Sequence, residues 1–192
     1  MRRGLLNNFS QWNTAERKHM QTSSKPIVTA AVAVFAVIVA SLLQVADAKL
    51  PEAGLDITGK ITKYTDAERK TYHLSEADIA AMPQYVITTS TPWTSRAKFA
   101  GIRIEDVLAK VGATGTSFRI TGYDGFISSD IPFSDVEKYH PIFATSMNGV
   151  KLKIRNFGPF FIVYPRDGYY EELNNSKMEA SFARQVKSLE VN

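Results

Sequence analysis

The run Tyr85-Val86-Ile87-Thr88-Thr89-Ser90-Thr91 constrains the fold more than any other stretch of the chain. Its first half is aromatic and β-branched, the composition of a strand, and Pro92 ends it because proline has no N–H to give a ladder. Its second half is all hydroxyl, and Trp93, one of two tryptophans, follows directly. A core strand of this kind carries small polar groups to the mouth of a pocket. Thr89, Ser90, Thr91 and Trp93 are therefore candidate ligand-binding residues. The hydroxyls can hydrogen-bond a polar ligand or cap backbone at the strand end. The indole can stack on a ligand or close the core.

Around this strand the chain is punctuated into short pieces. Leu55–Ile61 alternates like a strand, Thr62–Tyr72 reads as a polar turn, and Ser75 with Asp78 three residues on opens a short helix that stops before Pro83. Gly101–Gly112 is the clearest helix, with Ile104, Val107, Leu108 and Val111 on one face and Gly112 as its stop. Ser117–Gly122 reads as a strand, and Tyr123-Asp124-Gly125-Phe126 as a turn. Ser134-Asp135-Val136-Glu137 predicts a second capping box. Asn148-Gly149 between residues 142–147 and 151–154 predicts a hairpin. Residues 160–164 read as a buried strand, 167–178 as a polar loop, and 184–191 as a closing strand. Many short strands with scattered short helices predict one α+β domain over 49–192, built on mixed or antiparallel sheets.

The charge is unevenly placed. Residues 1–48 hold five basic and two acidic side chains, leaving 18 basic and 17 acidic for residues 49–192. The body is close to neutral, which excludes an electrostatic footprint for nucleic acid. The chain has no cysteine, which excludes disulfides, thiolate metal ligands and cysteine nucleophiles. Within the leader, Lys25 precedes an uncharged apolar run, and Ala46-Asp47-Ala48 follows it. The expectation is a signal peptide cleaved before Lys49, read most simply from a start at Met20. An uncleaved membrane anchor is the alternative, and both leave the body outside the cytoplasm, in the periplasm.

In order, the chain shows Thr-Thr-Ser-Thr-Pro-Trp at 88–93, Phe-Ala-Gly-Ile at 99–102, and an amphipathic helix ending in Val-Gly-Ala at 111–113. Tyr-Asp-Gly-Phe follows at 123–126, Met-Asn-Gly-Val-Lys-Leu at 147–152, Gly-Pro-Phe-Phe-Ile-Val-Tyr-Pro-Arg-Asp at 158–167, and Arg-Gln-Val-Lys-Ser-Leu-Glu-Val at 184–191. This order resembles the oxidoreductase molybdopterin-binding domain, the fold of sulfite oxidase, in a small exported form, over about residues 52–192. The resemblance implies a sulfite-oxidase-type α+β fold. It also implies a cysteine thiolate on molybdenum at the strand end matching 85–91, where this chain has Thr88-Thr89-Ser90-Thr91. A hydroxyl is a poor ligand for a metal held by soft sulfur.

In the resembled family the 123–126 loop lies near the cofactor face, which adds Tyr123 and Asp124 to the candidates, although Asp124 is most simply a turn residue. Arg166 closes the set, either holding an anion or pairing with Asp167 or Asp124. His73 and His140 have no partners at metal-ligand spacing, so no metal ligand is nominated. The expectation is a domain without cofactor that binds a small-molecule ligand or an envelope signalling protein, as a sensory module. A periplasmic molybdopterin-dependent oxidoreductase is the alternative, and a purely structural interaction module a third.

Overall fold

The computed structural model describes residues 54–192. The expected leader, its cleavage or anchoring, and the start at Met20 lie outside the described residues. In chain order, β1 (Gly54–Gly59) and β2 (Tyr72–Ser75) lead into α1 (Glu76–Ala81). Next come β3 (Tyr85–Thr91), β4 (Thr94–Arg103), α2 (Ile104–Val111) and β5 (Ser117–Gly122). The chain continues through β6 (Ile131–Pro132), α3 (Phe133–Tyr139), β7 (Ile142–Met147), β8 (Val150–Lys151) and β9 (Phe161–Val163). It closes with α4 (Tyr170–Leu173), α5 (Ser176–Glu179) and β10 (Val186–Val191).

Two sheets result. One has the order β2-β1-β10-β5-β6, antiparallel except where β1 runs parallel to β10. The other has the order β3-β4-β7-β8, with β9 also on β7, and is antiparallel throughout. This is the α+β architecture the punctuation predicts. Alternation does the packing: Leu55 and Ile57 of β1, Phe118 and Ile120 of β5, and Leu189 and Val191 of β10 are all buried. Burying each such side chain contributes about 1.5–3 kcal/mol before conformational entropy is counted. In the second sheet Phe99 meets Phe161 edge-on, with ring centroids 5.8 Å apart.

Several elements form for the local reasons the sequence offers. Ser75 and Asp78 make the reciprocal capping box of α1. Helix α2 buries Ile104, Val107, Leu108 and Val111, and stops at Gly112 in the left-handed conformation. Asn148 and Gly149 take positive φ of 50° and 79°, the requirement of a tight hairpin turn.

Elsewhere tertiary contacts override the local pattern. The helix begins at Ile104 rather than Gly101, because Gly101, Ile102 and Arg103 belong to β4 and pair with Ala144, Phe143 and Ile142 of β7. A Cβ at Gly101 would lie 1.9 Å from the Phe143 carbonyl oxygen, so the glycine permits this close approach. The capping box at Ser134 does not form. The helix starts at Phe133, whose N–H donates to the Thr116 carbonyl at 2.9 Å, and Ser134 is already inside the first turn. Strand β8 ends at Lys151, and Ile154 opens a 3-10 turn instead. Residues 167–178 are not a plain loop: α4 and α5 form there, anchored by buried Leu173 and Met178, with Asn175 capping α5.

Candidate functional site

Of the four hydroxyls at the end of β3, those of Thr89, Ser90 and Thr91 are bonded within the protein. Thr89, 1 % exposed, accepts from the Asp167 N–H at 3.0 Å and donates to the Ser90 carbonyl at 3.2 Å. Ser90 gives both its N–H (3.0 Å) and its hydroxyl (2.6 Å) to Asp167 Oδ1. Asp167 sits in a 3-10 turn, Arg166–Gly168, immediately after the segment that carries β9. Together these contacts form a clasp between β3 and that turn. The Ser90 hydroxyl holds the Asp167 carboxyl below its usual range; partial burial opposes this, while the Ser90 N–H, Arg96 and Thr89 assist. Arg96 of β4 makes the ion pair, at 3.6 Å from Asp167 Oδ2.

Thr91 has a different task. Its hydroxyl, buried at the strand end, accepts from the N–H groups of Trp93 (3.2 Å) and Thr94 (3.0 Å) and meets the Thr94 hydroxyl at 2.9 Å. Thr91 pairs with Thr94 across the β3–β4 hairpin, so Pro92 and Trp93 are its two turn residues. The hydroxyl therefore fixes the turn that projects the indole. Trp93 is 48 % exposed, so it does not close the core.

The indole forms one wall of a cleft of about 240 Å³. Asp124 and Phe126, from the turn after β5, form another side, and Glu179, Phe182 and Arg184, from the end of α5 and the approach to β10, complete it. The Arg184 guanidinium carbon lies 4.1 Å from the Trp93 ring centre. Such stacking is worth about 0.5–1 kcal/mol when exposed. The Arg184 guanidinium N–H groups make no hydrogen bond to a side chain or backbone among the described residues, which leaves them available. Asp124 also does what a turn residue does, accepting from the Phe126 N–H at 3.1 Å.

The sequence-predicted residues are thus divided. Thr89 and Ser90 meet in the clasp, Trp93 and Asp124 meet in the cleft, and Thr91 links the two by building the turn. Tyr123 is exposed and does not line the cleft. Arg166 pairs with neither Asp167 nor Asp124. It donates to Asn174, makes a long 3.5 Å contact with the Ser90 hydroxyl, and faces the Tyr170 ring, while its Nε is buried without a partner. Asp167, Arg96, Arg184, Glu179 and Phe182 enter the site from the structure. Only Arg166-Asp167 and Arg184 stood within motifs that the sequence singles out.

The histidines are apart, His73 bonded to Asp56 and His140 to Glu105, each at 2.7 Å. Among the described residues no group of three or more His, Cys, Asp or Glu is placed to hold a metal ion.

A family model, the oxidoreductase molybdopterin-binding domain, matches residues 62–170. Among solved structures, the chain is similar to the sulfane dehydrogenase SoxCD from Paracoccus pantotrophus, with a TM-score of 0.53 and 15 % identity, over 72 % of this chain. The chain spans 37 % of that protein's length. No curated protein matches the chain.

Proposed function

The chain belongs to the oxidoreductase molybdopterin-binding domain family, and from that premise we propose that it is a member whose fold serves binding without the metal cofactor. In this reading it is an exported domain of the cell envelope, and it takes up a small ligand or a partner protein as a sensory module. The observation that carries the reading is the clasp. Where relatives present a thiolate to molybdenum, this chain offers hydroxyls, and two of them are already spent on Asp167 and its backbone. A hydrogen-bonded hydroxyl is neither soft nor free, so the donor set does not fit the group. No step is derived through it. The fold alone does not assign an activity.

The leader supports export: a basic flank, an apolar run and an A-x-A site in residues 25–48. The Trp93 cleft supports binding, since concave, largely aromatic surfaces with a few convergent polar groups are where ligands settle.

The deciding experiment is elemental analysis for molybdenum, with oxidative pterin fluorescence, on the full chain expressed in molybdate-fed cells. The expected result is no metal and no pterin. Near-stoichiometric molybdenum, with reduction or oxidation of an artificial electron carrier, overturns the reading and restores the oxidoreductase.

A further inference from the structure

We propose that the Trp93 cleft is a site for a small aromatic or branched zwitterion, an α-amino acid, held through its carboxylate by Arg184 and through its ammonium by Glu179 and Asp124. The inference rests on the binding reading above and gives that site a ligand class.

Four observations carry it. Arg184 lines the cleft with its guanidinium carbon 4.1 Å from the Trp93 ring centre and has no hydrogen-bonded or ionic side-chain partner among the described residues. An unpaired guanidinium presents parallel N–H groups in a planar fork, the geometry that takes a carboxylate bidentately. Glu179 lines the same cleft, also without a partner among the described residues, and Asp124 has committed one oxygen to the Phe126 N–H. Both charge signs therefore stand uncompensated around one concavity. That is the complement of a dipolar ligand rather than of an anion, which the two carboxylates would repel.

The walls between these charges are the rings of Trp93, Phe126 and Phe182, which suit an apolar side chain. The cleft volume of about 240 Å³ falls below the roughly 300–1,000 Å³ of pockets for drug-sized molecules, and points to a ligand of amino-acid size. Glu179, Phe182 and Arg184 lie beyond residue 170, where the family-model match ends.

The test uses the full chain with Trp12→Phe, which leaves Trp93 as the single indole. Its fluorescence is titrated with L-phenylalanine, with phenethylamine, which lacks the carboxylate, and with 3-phenylpropionate, which lacks the ammonium. Calorimetry with the same compounds on the unmodified chain guards against silent binding. L-phenylalanine is expected to bind, and each analogue to bind at least about tenfold more weakly, the scale of one charge-assisted hydrogen bond. Arg184→Gln is expected to weaken L-phenylalanine by about the same factor and to leave phenethylamine unchanged. No binding of L-phenylalanine at millimolar concentration overturns the proposal. So does binding of all three compounds within about twofold, the mark of an apolar surface only. Molybdenum content measured on the same sample separates the two failures. A metal-loaded protein removes the premise, whereas a metal-free protein that ignores the amino acid removes only this inference.

Discussion

The clasp at the end of β3 and the cleft beside Trp93 are built from neighbouring residues of one hairpin, yet they treat polarity in opposite ways. In the clasp, Thr89, Ser90 and Asp167 satisfy one another, with Arg96 completing the charge balance. In the cleft, Arg184 lies over an indole and has no ion-pair partner among the described residues. Buried polar groups that bond one another fix a structure, and leaving one of them unpaired is costly. Charged groups that converge on a concavity without partners wait for something else. Hydroxyl identity at the strand end, the feature that first draws the eye in the sequence, therefore marks the scaffold more than the ligand.

The comparison can be broken first at its common support. Gly101→Val places a side chain against the Phe143 carbonyl and should pry β4 from β7, taking clasp and cleft together. A loss of about 4 kcal/mol or more, or failure to fold, is expected in urea melts; a normal melt would show that the two strands separate easily. Cutting the clasp alone is the next step down. Asp167→Ala removes the acceptor of the Ser90 N–H and hydroxyl at the surface and should cost about 0.5–1.5 kcal/mol, and an unchanged midpoint would mean the clasp holds nothing.

The clasp should also carry a pH signature. Because the Asp167 carboxyl is held below its unfolded value, near 3.9, its contribution is complete above that value and is lost as pH falls through the lower folded one. The stability gap between the wild-type chain and Asp167→Asn should be constant at neutral pH and shrink below about pH 4. A gap that grows on acidification contradicts the assignment. The smallest effects belong to the cleft. Trp93→Ala should cost no more than about 1 kcal/mol, mostly the stacked cation, and Arg184→Gln no more than about 0.5 kcal/mol. Larger losses in melting experiments would make the cleft part of the scaffold after all.

What the sequence made legible follows from how far apart the causes lie. The Ser75–Asp78 box and the Asn148-Gly149 hairpin are local, and both formed where the spacing placed them. Strand β4 was hidden because its first half, Thr94-Ser95-Arg96-Ala97-Lys98, shows mostly polar side chains, and only its pairing with β3 and β7 makes it a strand. The helix cap at Ser134 misled because a backbone acceptor from Thr116 supplied the first turn earlier. In the site, Trp93 is legible as a type suited to a pocket, whereas Asp124 reads as a turn residue and joins the candidates only through the family resemblance. Asp167 as the partner of Ser90 is not legible, since 77 residues separate them and no local pattern encodes that meeting. Arg184 was read only as the start of a strand, and its role depends on a tryptophan that a different hairpin delivers.

Strand β10 has a consequence for how the molecule is made. Val186–Val191 sits in the middle of its sheet, between β1 and β5, with Ile57 beside Leu189. The first strand of the domain thus has no parallel neighbour until that last strand has been synthesised. Such long-range pairing is slow to close, so this sheet is completed last. A polypeptide emerging from the ribosome would keep β1 unpaired on that edge through almost all of its synthesis. The sheet that holds β1 is therefore closed only when the last strand has emerged.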